Sequence, residues 1–264
     1  MSTYALPAPR LIGADLLKLR KRRGLVVVTS LLTVGAIAVT YAVIEVLHLV
    51  NSAKHGPAGG IINLGHGTFV VSMLGAVAAA IVGSIAGAGD SDAGVYRDLV
   101  VTGRSRASLF LSRIPAGLAF LLPFVAAAYA LTAVVSVALA GGLPTASVRL
   151  MALTGLWAVL QVTFYYLLAV AIACLIGSRS YTIGVLLGWR LAVTPILASI
   201  SALGVVRELV PGVALQSIAP AGLGDSVRQG PQIAMSTAAV AAVMIVWVAV
   251  GLVLGGRRDA TRDA

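Results

Sequence analysis

The chain has 264 residues, 59% hydrophobic and only 11% charged, with a formal net charge of +10. Water-soluble domains run at about 45–50% apolar and about 25% charged, so 19 basic and 9 acidic residues cannot cover a water-exposed globule of this size. Bilayer lipid is the solvent that fits, and 29 glycines with 6% aromatics agree with membrane helices packed through small residues.

In chain order, residues 10–23 (RLIGADLLKLRKRR) come first and set Leu11, Ile12, Leu16 and Leu19 at helical spacing among basic residues. This pattern predicts an amphipathic helix lying in the membrane interface. A membrane span needs about 20 mostly apolar residues, and six runs qualify: 25–47, 67–89, 114–140, 150–176, 181–206 and 232–255. The first run is too long for a signal-peptide core and lacks a small-residue cleavage site, so it reads as a retained anchor. Gly-Pro and polar clusters, KHGPAGG (54–60) and AGGLPTAS (140–147), separate spans one from two and three from four. The fold class expected is all-α: a single polytopic domain over 1–264.

Between spans two and three lies GAGDSDAGVYRDLVVTGRSR (87–106), which holds six of the charged residues. Val95, Leu99 and Thr102 recur at three- and four-residue steps with Tyr96 and Val100 beside them. Acidic residues open the segment and Arg104 and Arg106 close it, as suits a short helix dipole. The segment 90–110 therefore reads either as a short amphipathic helix at the membrane mouth or as a solvated loop. Between spans five and six, RELVPGVALQSIAPAGLGDSVRQGP (207–231) is moderately apolar, is broken by Pro211, Pro220 and Pro231, and is too short to cross. It reads as a pair of short re-entrant helices in the outer leaflet, with a plain external loop as the alternative.

Six spans put both ends of the chain on one side. That side collects Arg10, Lys18, Arg20, Lys21, Arg22, Arg23, Arg97, Arg104, Arg106, Arg113, Arg179, Arg257, Arg258 and Arg262, against Lys54, Arg149, Arg207 and Arg228 on the other. Fourteen against four predicts cytoplasmic termini. The basic excess is then orientation, and nucleic acid is not an expected partner.

Arg190, in GVLLGWRLAVTP (184–195), falls near the middle of span five. A cation there must face protein, water or a lipid defect. It either meets substrate in a cavity, pairs across a dimer, or is held by a neighbour such as Gln161 or Glu45. Pro195 is positioned to kink the span. His48, His55 and His66 lack metal-ligand spacing, and no metal site is expected. The single cysteine, Cys174, excludes an intrachain disulfide. The pairs Gly83–Gly87, Gly184–Gly188 and Gly251–Gly255 match the small-xxx-small packing pattern. Trp189, Tyr165, Tyr166 and Trp247 read as packing or interface aromatics. The three lysines, Lys18, Lys21 and Lys54, none after a glycine, leave no G-x-x-x-x-G-K-[ST] loop to hold nucleotide phosphates.

The order of elements resembles the permease subunits of the type-two family of ATP-binding-cassette exporters. The features that carry it are the basic opening LLKLRKRRG (16–24), the six spans, and the Pro-interrupted outer segment. To these is added the run Asp90/Asp92, Gly94-Val95, Arg97, Leu99-Val100-Val101 and Thr102-Gly103-Arg104-Ser105-Arg106. Val95 departs from the pattern, where many members have Thr. The resemblance implies a permease that is not itself an enzyme, sited in the cell's inner membrane. It would pair with a second permease chain, identical or related, and rest on a cytoplasmic ATPase that carries the ATP and Mg. The coupling segment would seat in that ATPase through an apolar knob of Tyr96 and Leu99, opened by Asp92 and Gly94 and rimmed by Arg97, Asp98 and Arg104. Arg179 in GSRS (177–180) would make a second contact. The cavity would lie between the two chains, along spans one, two and five, with Met73, Trp189, Arg190 and Thr194 as candidate lining for a hydrophobic or amphipathic cargo such as an antibiotic, peptide or lipid-linked molecule. The rival readings are a gradient-driven secondary transporter, which would show internal repeats and midplane ionisable groups, and a non-transporting immunity or assembly subunit.

Overall fold

The computed structural model describes residues 9–94, 105–223 and 233–261, and within these the regular structure is entirely helical. The first helix, α1, expected to lie in the membrane interface, covers Pro9–Lys21. Six helices are long and apolar enough to cross a bilayer: α2 (Arg23–Val50), α3 (Gly60–Asp90, its last turn running on to Asp92), α4 (Arg106–Ala138), α5 (Val148–Ile176), α6 (Arg179–Ser199) and α8 (Thr237–Thr261). A short helix α7 (Pro211–Ser217) precedes α8. The chain is a multi-pass membrane protein. Leu31, Val39, Val46, Leu49, Val134, Leu156, Ile245, Val246 and Val250 are exposed around the bundle, an apolar belt no water-soluble monomer carries.

The helix ends follow local chemistry. Ser105 and Ser147 cap α4 and α5, each side chain accepting the backbone N–H three residues on at 3.2 Å, which satisfies one of the four orphan donors of a helix start. Gly177, at φ +76°, ends α5 in the left-handed conformation that a side chain resists. Several expected boundaries move, among them the start of the second span, at Gly60 and not 67, and both ends of the sixth, at Thr237 and Thr261 against 232 and 255. The third span starts at Arg106 and not near 114, so residues 106–113, read as the end of the charged segment and the turn after it, are its first two turns. The fifth stops at Ser199, and residues 201–209 form a 3-10 turn around Gly204 at φ +50°. In α6 the register widens to π over Trp189–Val193, with the Thr194 N–H donating to the Trp189 carbonyl five residues back. This shift sits directly before Pro195, which has no N–H for the ordinary bond to Leu191. A similar widening occurs over Leu31–Gly35 in α2.

Helices α3 and α5 form the centre. More than half of each apolar window is buried, against under a third for the other spans. Lipid tails are as apolar as leucine, so helices in a bilayer associate by close packing and polar contacts instead of by the hydrophobic effect. The sequence supplies closeness through glycine. A Cβ on Gly83 would lie 2.5 Å from the Ala169 Cβ, and one on Gly87 would lie 2.6 Å from the Ala173 Cβ. Gly255 presses on the Ala171 carbonyl in the same way and brings α8 onto α5. The third pair, Gly184 and Gly188, faces open space.

One end of the bundle, here the near end, gathers α1, the end of α3, the start of α4 and the end of α8. The far end joins the loop at 51–59 to the loop after α4, with the Gly59 N–H on the Leu139 carbonyl and the Ile61 N–H on the Pro144 carbonyl, both at 2.9 Å. His48 Nδ1 donates to the His55 carbonyl at 2.7 Å and tightens the first far loop. The expected outer segment begins with the 3-10 turn and α7, and residues 224–232 lie outside the described residues. Helix α7 is held inward: Trp157 Nε1 donates to the Leu215 carbonyl at 2.8 Å, and Gly212 rests against the Thr194 side chain.

Overpacking a tight helix seam costs about 1–3 kcal/mol. Gly83→Val should therefore lower the thermal midpoint of the detergent-solubilised protein by several degrees, whereas Gly184→Ala, with nothing within 4 Å, should leave it unchanged. Fluorescence-monitored melting checks both.

Candidate functional site

Two polar centres interrupt the apolar bundle. The first closes the near end. Lys18 of α1 donates to both Asp90 oxygens of α3, at 2.9 and 3.1 Å, and lies 3.5 Å from Asp15. Ser112 Oγ of α4 donates to Asp15 at 2.6 Å. Beside it the Arg113 guanidinium, 4% exposed, reaches Asp90 at 4.0 Å and Asp259 of α8 at 3.5 Å. The same Arg113 donates to the Gly87 carbonyl at 3.2 Å and touches Cys174 Sγ of α5 at 3.5 Å, and Tyr166 of α5 donates to the Arg113 carbonyl at 2.6 Å. Five helices thus meet around one buried cation. Two outer ties reinforce it: Arg106 to the Ala260 carbonyl at 2.9 Å, and Arg179 to Asp92 at 2.6 Å.

This junction was not legible as a unit. In the sequence Arg113 counts only as one more charge on the basic side, and Asp15 and Asp259 carry no motif. The available signal was its setting, LFLSRIPAG (109–117), where an isolated arginine amid apolar residues demands buried partners. Arg179, expected to contact a partner protein, is paired with Asp92 across α3 and α6, an exposed contact of the kind worth about 0–1 kcal/mol. Gly94 adopts φ +70° just past α3. The other coupling candidates, Tyr96, Arg97, Asp98, Leu99 and Arg104, lie outside the described residues.

The second centre is a cavity of about 400 Å³ bounded by α3, α6 and α7. Phe69, Met73, Leu191, Pro195, Ala198 and Val213 make it apolar, and Arg190, Thr194 and Gln216 make it selectively polar. Three of the four sequence candidates, Met73, Arg190 and Thr194, therefore share one wall. The fourth, Trp189, is not in the lining: it packs on Trp247 with ring centroids 5.8 Å apart, and Trp247 Nε1 donates to the Leu209 carbonyl at 2.9 Å. Arg190 leans on α5, where it donates to Tyr165 Oη at 3.2 Å and Gln161 Oε1 at 3.3 Å. Its charge also lies 5.1 Å from the Tyr165 ring centroid, a cation–π contact worth about 0.5–2 kcal/mol. Of the two neighbours foreseen for it, Gln161 is the one in contact. Glu45 instead accepts from the Ala58 N–H at 3.3 Å. An arginine at mid-span costs at least about 2.5–3.5 kcal/mol on insertion scales, and two neutral hydrogen bonds with one ring face offset part of that.

Among the described residues, no group of His, Cys, Asp and Glu could hold a metal ion. Compared with known proteins, the chain matches no family model and no curated sequence.

Breaking a buried ion pair from one side costs about 3–5 kcal/mol because the opposite charge is stranded. Arg113→Met should accordingly lose most of the folded, monodisperse protein on size-exclusion chromatography, and adding Asp259→Asn to that variant should recover part of it.

Proposed function

We propose that this chain is the transmembrane permease subunit of an ATP-driven exporter. In this reading it moves a hydrophobic or amphipathic molecule out of the cytoplasm, its termini face the cytoplasm, and it sits in the inner membrane. A second permease chain completes the path, and a separate cytoplasmic ATPase that binds ATP and Mg supplies the energy.

The observation that carries this reading is mechanical. Helix α3 runs unbroken from the cavity, where it contributes Phe69 and Met73, to the near end, where it contributes Asp90. Helix α4 starts at the other side of the same connecting segment and is clamped to α3, α5 and α8 through Arg113. A force applied to residues 93–105 therefore acts on two long braced levers, one of which is the cavity wall. Packed helices behave as rigid bodies with discrete arrangements, so a partner gripping this connecting segment can shift the cavity wall at the far part of α3 without local unfolding. The fourteen-to-four distribution of basic residues supports placing that segment in the cytoplasm. The sequence has no phosphate-binding loop, so energy comes from a partner or from an ion gradient, and the export reading takes the partner.

The test is co-purification followed by uncoupling. A domain-sized ATPase should travel with the affinity-purified chain. In proteoliposomes containing both, the double variant Tyr96→Ala/Leu99→Ala should insert normally but lose most ATP-dependent transport. Transport that persists in the double variant, or that runs on a proton gradient without ATP, overturns the proposal.

A further inference from the structure

We infer that the cavity at Arg190 binds the anionic headgroup, carboxylate or phosphate, of an amphipathic molecule whose apolar body lies along Phe69, Met73, Leu191 and Val213. This names the chemistry of the exported cargo, and it rests on the export reading only in taking the cavity for the transport path.

Three polar groups at this place have more capacity than the protein uses. A guanidinium carries five N–H donors in a planar fork, and Arg190 directs its bonds to two neutral acceptors, Tyr165 and Gln161. Among the described residues no carboxylate lies within ion-pair distance of it. Thr194, one helical turn on and 7% exposed, lines the same cavity, and its Oγ1 is buried without a hydrogen-bond partner. Gln161, fully buried, holds Arg190 through Oε1 while its Nε2 has no partner. Buried polar groups are almost always satisfied, and exceptions call for a ligand, water or ion. Two such atoms, Thr194 Oγ1 and Gln161 Nε2, lie beside a positive charge that has no carboxylate partner among the described residues.

The chemistry of the missing partner follows. It must be an acceptor, because Arg190 can only donate and the Thr194 hydroxyl, the other cavity-lining group without a partner, can do so. It must carry negative charge, since a neutral acceptor leaves the cation uncompensated and a cation is repelled. A carboxylate or phosphate takes the guanidinium fork in a bidentate, charge-assisted bond. Gln216 is the other polar member of the lining and the remainder is apolar, and about 400 Å³ falls in the range of pockets that hold small-molecule ligands. The contrast with the near-end arginine is instructive: Arg113 has carboxylates at Asp90 and Asp259, so that centre is internally neutralised, while the cavity centre is not.

The experiment uses full-length protein in phosphatidylcholine nanodiscs, without nucleotide, titrated with 11-(dansylamino)undecanoic acid and with its methyl ester, against empty nanodiscs. The acid should bind saturably. The ester, and the acid with Arg190→Gln, should bind roughly tenfold or more weakly, the factor expected for losing a hydrogen bond to a charged group. Arg190→Gln removes a mid-span charge, so insertion is not at risk, and Met73→Trp independently fills the cavity and should weaken the acid without altering charge. Monododecyl phosphate should displace the probe, and inorganic phosphate at the same concentration should not. Equal affinity for acid and ester, indifference to both substitutions, displacement by inorganic phosphate alone, or no saturable signal each overturns the inference. None of these outcomes bears on whether an ATPase co-purifies, so failure here is distinguishable from failure of the export reading.

Discussion

The architecture depends on how closely α3 approaches α5, and that distance is set at Gly83 and Gly87. In a bilayer apolar area supplies no net attraction between helices, so cohesion comes from dispersion at short range and from polar groups that cannot reach water. Gly87 serves both. Its missing Cβ lets Ala173 close the seam, and its carbonyl, exposed by that closeness, accepts Arg113. With α3 and α5 fixed, the other helices have a surface to pack on: α8 through Gly255, α4 through Arg113 and Tyr166, and α1 through Lys18 and Asp90.

The same seam separates two arginines with opposite fates. Arg113 sits where acidic side chains from α3 and α8 converge, and the cost of burying it is met by charge and by backbone acceptors. Such a junction contributes more to a unique arrangement of helices than to net stability, because desolvation consumes most of the Coulombic gain. Arg190 sits farther along the bundle, where α5 offers Tyr165 and Gln161 but no carboxylate. A bundle built for stability alone has no use for that charge. Its position beside a cavity, on a helix already widened before Pro195, is what the proposed anion-recognition role rests on.

Much of this was legible in one dimension. The six spans, the first helix and the short pieces before the last span follow from run length, period and proline placement, because a bilayer imposes a length on every crossing element. Candidate residues on one helix face were legible for the same reason: Arg190 and Thr194 are four apart and share a wall. What was not legible was anything requiring knowledge of the neighbour. Trp189 is adjacent to Arg190 in sequence, yet it points to Trp247 and away from the cavity. Arg179 reads from the sequence as a second partner contact, and only α3 shows that Asp92 lies beside it.

The sequence by itself determined the solvent, the number of crossings and the asymmetry of charge, since these are sums over local composition. Only the tertiary structure decided which charges are neutralised. Asp259 lies 146 residues from Arg113 along the chain, and no local pattern can announce a pairing across that separation. Which glycine pairs serve as seams was decided in the same way. Three pairs carry the same spacing, and only the facing helix distinguishes Gly83–Gly87, pressed on Ala169 and Ala173, from Gly184–Gly188, which meets nothing.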